Sequence, residues 1–390
     1  MKRTTLWIFI VTLTMVSIGT VMVYSSSAAT AAYQKRRIMS EEAPEVADDA
    51  LLYHDPAFLN KQLIWVGLSL LALMFFYHFD YARLGKLSPF ILAGSIALLA
   101  LVLVMGTTVN GARRWLRFGP ITVQPSEIAK LALVIFMAKF LAEHKDKVKS
   151  FLRGFLPVLT ILSATLILIV LEPDFGSTVI IGAIIFIIWF IAGMRILHLS
   201  SLFIASLPCA VVGILINPYR IKRIVAFLDP WENRLGSGYQ VVQSLIAVGS
   251  GGVNGVGLGA GLQKYHFLVE AHTDFIFAIV CEEAGFIGAS LMVVLFVALL
   301  WLGVVVAMRA SDYYMGLLAS GIVTMICLSA VVNFWVVLGM LPPKGLALPF
   351  ISYGGSSLLV NMAGVGILMN ISSATEEARG VRRRKLKRKY

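Results

Sequence analysis

The run Val269-Glu-Ala-His-Thr-Asp-Phe-Ile-Phe-Ala278 sets Glu270, His272 and Asp274 at the mouth of a long apolar stretch. A carboxylate at the edge of hydrocarbon is costly, so its presence marks a functional site by default. For Asp274 the plain alternative is a helix N-cap formed with Thr273. A second polar group is Asn110-Gly-Ala-Arg-Arg-Trp-Leu-Arg-Phe-Gly-Pro120, followed by Gln124-Pro-Ser-Glu127. Arg113, Arg114 and Arg117 are expected on one side of a short interfacial helix, with Trp115 and Phe118 in the headgroup layer. That pattern serves either surface anchoring or a phosphate clamp, for which the planar guanidinium fork is suited. Ser126 and Glu127 read as a helix N-terminus, which leaves Glu127 as a helix-end charge or a site carboxylate.

The third group is Leu341-Pro-Pro-Lys-Gly-Leu-Ala-Leu-Pro-Phe-Ile-Ser-Tyr-Gly-Gly-Ser-Ser357. Its prolines and glycines break the helix between two spans, and such irregular backbone is tolerated at membrane depth only where it is buried in protein or lines a cavity. A kink alone does not account for Lys344, whose ammonium requires a partner or an anionic ligand. Arg220, in Asn217-Pro-Tyr-Arg-Ile-Lys-Arg223, adds positive charge to the long segment before Asp274. Seven of the thirteen residues from Gly249 to Gly261 are glycine, without G-x-G-x-x-G order, so dinucleotide binding is a poor reading. There is no G-x-x-x-x-G-K-[ST], H-E-x-x-H or G-x-S-x-G, which leaves conventional ATPase, metalloprotease and serine hydrolase readings without their key residues. Glu282 and Glu283 are expected to pair with basic residues of the long segment in a structural role.

The elements that must position these groups are membrane spans. Hydrophobic residues make up 58% of the 390 positions and charged residues 14%, against about 25% charged in a soluble domain; the mean hydropathy is +0.85. These values indicate an all-α polytopic membrane protein. About ten stretches have the length and apolarity of a spanning helix, at 6–24, 62–79, 88–105, 126–141, 155–171, 177–193, 199–216, 285–308, 315–338 and 357–372. The stretch 274–284 is expected to be a half-buried helix feeding the eighth span. Met1-Lys-Arg and Ser27–Ala31 flank the first apolar run like a secretory signal, but its length favours a retained helix. Residues 1–378 form one transmembrane domain that contains a large structured outer loop at 217–273, and 379–390 form a basic tail.

Lys and Arg concentrate in the short loops 81–86, 143–154, 194–198 and 309–312 and in the tails. The positive-inside rule therefore sets both termini in the cytoplasm and the long loops outside. The acidic residues of the first long loop, from Glu41 to Asp55, read as a solvated linker. The net charge of +12 owes eight basic residues to Arg379–Lys389, which have no interleaved aromatics; the tail is a topology signal that attracts anionic membrane lipid, not a nucleic-acid face. Cys209, Cys281 and Cys327 stand singly in apolar segments without metal or redox spacing and are expected in the core.

In combination, Asn110–Trp115, Gln124–Glu127, Glu172-Pro-Asp-Phe-Gly176, Glu270–Asp274 with Glu282-Glu-Ala-Gly285, and Lys344-Gly through Ile351–Ser357 resemble the SEDS family, the bacterial proteins of shape, elongation, division and sporulation. The resemblance covers nearly the whole chain and is nearer to the FtsW/SpoVE branch than to the RodA branch. It implies a peptidoglycan glycosyltransferase that polymerises lipid II on the outer face of the bacterial cytoplasmic membrane, beside a class B penicillin-binding protein that cross-links the nascent glycan strand. The family's essential carboxylate maps onto Asp274 and its lysine onto Lys344. Around them Arg113, Arg114, Arg117, Glu127, Arg220, Glu270, His272 and Ser352 are the candidate substrate-binding residues. The chain departs from the pattern at His266, where some division-type members carry Glu, and at Val269, where Pro is common.

The implied chemistry suits these residue types. Joining an α-linked sugar pyrophosphate into a β-1,4 strand inverts the anomeric centre, so a single displacement needs one base and no covalent nucleophile. Asp274 is the expected base. A lipid pyrophosphate leaving group needs positive charge, from Lys344 and the arginines or from a divalent cation such as Mg or Mn. Two further readings are a lipid II flippase and a non-catalytic division scaffold. A flippase should carry its key charges near the bilayer midplane, whereas here they gather at the outer edge of the spans.

Overall fold

The computed structural model describes residues 3–42, 56–109, 112–119, 121–216, 218–265, 267–268 and 271–387. Helices dominate. The apolar runs become α1 (Arg3–Glu42), α2 (Pro56–His78), α3 (Tyr81–Met105), α4 (Pro125–Glu143), α5 (Leu156–Leu171), α6 (Phe175–Ile191), α7 (Ile196–Leu215), α10 (Ile276–Arg309), α11 (Tyr313–Val337) and α12 (Gly355–Lys387). Each of the ten expected stretches overlaps one of them. Eight are long and apolar enough to cross a membrane by length and composition, one of them α5 together with the turn Phe151–Phe155 that leads into it (21 residues), and α6 is apolar but shorter, at 17 residues.

Local chemistry sets the helix starts. Pro125 begins α4, where a missing N–H costs nothing. Asp80 caps α3 by accepting from the Ala82 amide at 2.9 Å, and Asp174 caps α6 by accepting from the Ser177 amide at 3.1 Å. The central post is α11, 67% buried over its apolar window and packed on α4, α6, α10 and α12. By contrast α7 is only 11% buried and packs on α6 and on the helix Pro218–Leu228 that follows it. Its Cys209 is exposed, so the expected core position holds for Cys281 and Cys327 alone.

Two expectations are corrected. The segment with the three arginines is not an interfacial helix but the middle of a three-stranded antiparallel sheet, β1 (Thr107–Val109), β2 (Ala112–Phe118) and β3 (Ile121–Val123). Val109 pairs with Ala112 and Phe118 with Ile121, at the ends of the two antiparallel ladders. The stretch 274–284 is also fully rather than half buried: Ile276 through Glu283 are at most 5% exposed. It forms the first part of α10, which breaks at Gly285 (φ +62°, ψ −161°) before the long second part.

The long segment is structured as expected. It holds α8 (Pro218–Leu228) and α9 (Tyr239–Ser250), and then the glycine series wraps the break in α10. Val256 and Gly257 amides donate to the Glu282 and Glu283 carbonyls, and the Phe286 and Ile287 amides donate back to Gly252 and Val253. A side chain at Gly251, Gly255 or Gly285 would collide with opposing backbone, which is why glycine recurs there.

Candidate active site

The long loops converge at one end of the bundle. Asp274 sits just before α10, half-buried. It does not cap the helix: Phe275 is the N-cap and makes no side-chain cap bond. Its carboxylate faces the turn at Gly345, where an added Cβ would lie 3.3 Å from Asp274 Oδ2 and where φ is +69°. Lys344 therefore flanks the carboxylate through its neighbour. The Lys344 backbone packs on Gly176 at the start of α6, and Pro343 O accepts from Arg223 Nη1 at 2.8 Å.

Burial holds the Lys344 ammonium below the usual lysine range. Among the described residues no carboxylate forms an ion pair with it. A half-buried cation with no counter-ion among the described residues is suited to receive a ligand anion.

The other sequence candidates separate into those that face outward and those already engaged. On β2, alternation puts Arg113 and Arg117 on one face, both exposed, and Arg114 on the other. Arg114 donates to the carbonyls of Glu172 and Pro173, so it braces the α5–α6 turn and does not join a three-arginine clamp. Arg220 donates to Gly213 O and covers the Phe175 ring, 5.0 Å from its centroid, which ties α8 to α6 and α7. Ser352, expected to bind substrate, donates its hydroxyl proton to Thr273 O and accepts from the Leu348 amide. Its only donor is spent inside the protein. Glu127 is buried in the first turn of α4 and its Oε1 pairs with Lys130 at 2.8 Å, while its Oε2 has no hydrogen-bond partner among the described residues. The His272 ring meets Tyr353 edge-on at 5.9 Å, and its carbonyl accepts from the Tyr353 amide. Glu270, like His266 and Val269, lies outside the described residues.

Asn333 carries no obvious signal in the sequence, and the bonds that Gln124 and Glu172 make are not visible in their motifs. Asn333, fully buried on α11, donates to both Asp274 O (2.8 Å) and Leu346 O (2.7 Å). Gln124 donates to Asp174 Oδ2 at 3.3 Å through its side chain and to Ser356 Oγ at 3.0 Å through its amide, which joins α4, α6 and α12. Glu172 is fully buried, and burial with the nearby Asp174 charge pushes its carboxyl up to about 8, against the opposing pull of Arg114. The motif around Glu172 is visible in the sequence; its protonation is not. Glu283 pairs with the basic Lys264 at 2.6 Å as expected, whereas Glu282 is held by the Leu262 and Gln263 backbone amides and not by a basic side chain among the described residues.

A divalent cation would need carboxylates or histidines grouped as ligands. Among the described residues no three His, Cys, Asp or Glu side chains make such a group. These residues do not build a cage.

A helical polytopic membrane protein with an aspartate, a burial-shifted lysine and outward arginines gathered at one end is defined by fold and site together. The chain belongs to the FtsW/RodA/SpoVE family: the family model, described as cell cycle protein, matches residues 4–377. Stage V sporulation protein E of Bacillus subtilis is 43% identical over 370 residues, covering 94% of this chain and 96% of the relative. The probable peptidoglycan glycosyltransferase FtsW of Geobacter metallireducens is 40% identical over 375 residues, covering 95% of each. Among solved structures, a chain of a peptidoglycan synthase complex that coordinates polymerization and crosslinking superposes with a TM-score of 0.74 at 30% identity, covering 94% of this chain and 97% of that one. The rod shape determining protein RodA of Thermus thermophilus superposes with a TM-score of 0.66 at 28% identity, covering 94% and 95%.

Proposed function

We propose that this protein is a peptidoglycan glycosyltransferase that polymerises lipid II into β-1,4 glycan strands. The observation that carries the reading is the Asp274 carboxylate against Gly345, beside the burial-shifted Lys344, in a chain 40% identical to a probable FtsW glycosyltransferase. Asp274 removes the proton from the acceptor sugar 4-hydroxyl. The oxygen attacks the donor anomeric carbon, and the bond to the phosphate oxygen breaks on the opposite face, so the configuration inverts. The leaving pyrophosphate takes the bonding electrons. Lys344 balances that charge, with Arg113 and Arg117 at the exposed face of β2. Both substrates keep their lipid tails in the bilayer while their sugars meet at the loop-rich end.

The same reading puts the loop-rich end outside the cytoplasmic membrane and both termini in the cytoplasm, in keeping with the charge pattern of the short loops. A class B penicillin-binding protein is the partner that cross-links the product. The test is polymerisation of labelled lipid II by purified protein with that partner, comparing wild type with Asp274→Ala at matched thermal stability. Strands from wild type only, with a rate loss of about 10²–10⁴-fold or more in the variant, support the reading. Equal rates remove Asp274 from the chemistry. Lipid II crossing vesicle membranes without strand formation replaces the enzyme with a flippase.

A further inference from the structure

Three consecutive carbonyls lead to the proposed base, and each is held by a donor from elsewhere in the fold. His272 O accepts from the Tyr353 amide at 2.9 Å, Thr273 O from the Ser352 hydroxyl, and Asp274 O from Asn333 Nδ2 at 2.8 Å. The first two donors lie in the loop before α12, and the third is on α11. This segment has no regular structure of its own to satisfy those carbonyls, because α10 begins only at Ile276.

Asn333 differs from the other two donors. The same Nδ2 also donates to Leu346 O at 2.7 Å, two residues beyond Lys344. One planar amide nitrogen, fixed on the buried helix α11, therefore holds the strand of chain that carries Asp274 and the turn that carries Lys344. Two hydrogens on one nitrogen are required, and only an amide or a cationic side chain offers them. Aspartate would set oxygen against two carbonyl oxygens, and glutamine would displace the nitrogen by one methylene.

We infer that Asn333 is a positioning residue for the glycosyl transfer, fixing the separation between the Asp274 carboxylate and the Lys344 ammonium from behind the site. The inference rests on the reading of Asp274 as base and Lys344 as the cation facing the leaving group. Asn333 touches neither substrate nor reacting atom; it acts through the two backbone segments. The base and the charge-stabilising group must hold their places together at the transition state, and a misplacement of about 1 Å costs roughly 10²-fold in rate.

The experiment uses the full chain with its cross-linking partner and two variants, Asn333→Ala and Asn333→Leu, the second preserving volume on α11 while removing both donors. Lipid II polymerisation is measured as kcat and KM, with melting temperature and amide hydrogen exchange on the same samples. The expected result is a kcat loss of about 30- to 100-fold with KM within about threefold of wild type. Faster exchange should be confined to segments 271–278 and 344–354. Unchanged kcat in Asn333→Leu overturns the inference. So does a kcat loss that tracks a general fall in melting temperature with faster exchange throughout α10–α12, since that is a fold defect. If wild type makes no strands at all, the glycosyltransferase reading fails; the exchange pattern then still decides separately whether Asn333 holds the two segments, and unchanged exchange overturns the inference by itself.

Discussion

Asp274 announces itself by its cost, since a carboxylate beside an apolar helix needs a reason to be there. Ser352 and Arg114 do not, because what occupies them lies far away in the chain: Ser352 bonds Thr273 and Arg114 bonds Glu172. A motif shows that a donor exists and is silent on whether a carbonyl has already consumed it. Lys344 allows a test in which activity and stability move in opposite directions. Replacing the half-buried ammonium with Lys344→Met is expected to leave the melting temperature equal or higher, because a desolvated charge is removed. Polymerisation should fall by about 10²–10³-fold. A variant that loses stability and activity in parallel would make Lys344 a structural residue.

Glu172 makes a separate prediction in pH. Its folded pKa, about 8, exceeds the ordinary value of 4.5, so the folded protein holds a proton that the unfolded chain releases. The stability this lends is fully present below pH 4.5 and is lost as pH rises through about 8. Glu172→Gln keeps the shape without the titration and is expected to flatten the decline of melting temperature between about pH 4.5 and 8. Parallel wild-type and variant curves over that range would show that Glu172 is not the titrating group.

At the scale of elements, the spans were legible because length and apolarity alone define them, and the break at Gly285 was foreshadowed by acidic residues inside an apolar run. The β2 hairpin was misread for a physical reason. Arg-Arg-Trp-Leu-Arg-Phe is equally consistent with an amphipathic helix turn or an alternating strand, and the clearest turn signal beside it in the sequence is the Asn110-Gly111 dipeptide. The difference changes what the arginines do. Arg113→Ala with Arg117→Ala should raise KM for lipid II by about tenfold with little change in melting temperature, as expected for exposed phosphate contacts. Arg114→Ala should lower the melting temperature by loosening the Glu172–Pro173 turn. If all three substitutions act alike on KM, the strand faces do not divide their roles.

Over the whole molecule, the loop-rich end is held to the bundle by a buried charge cluster that reaches across the chain. Lys264 Nζ, 2% exposed, meets Glu283 Oε1 at 2.6 Å and also donates to Ser25 Oγ and Gly259 O. Ser25 in turn donates to Glu283 at 2.9 Å, and the Gly259 amide donates to Glu283 Oε2 at 3.0 Å. Thus α1, the glycine series and the break in α10 share one set of bonds, only part of which is foreseeable from sequence, since Ser25 and Glu283 are 258 positions apart. Removing one member should cost much more than removing the pair. Lys264→Met strands a buried carboxylate and is expected to destabilise by about 3–5 kcal/mol, whereas Lys264→Met with Glu283→Leu removes both charges and should recover most of that loss. Thermal melts of the two variants and of Glu283→Leu complete the cycle. Losses that simply add would mean that the charges are held independently, and that what anchors the outer segment to α1 is the packing of its glycine backbone.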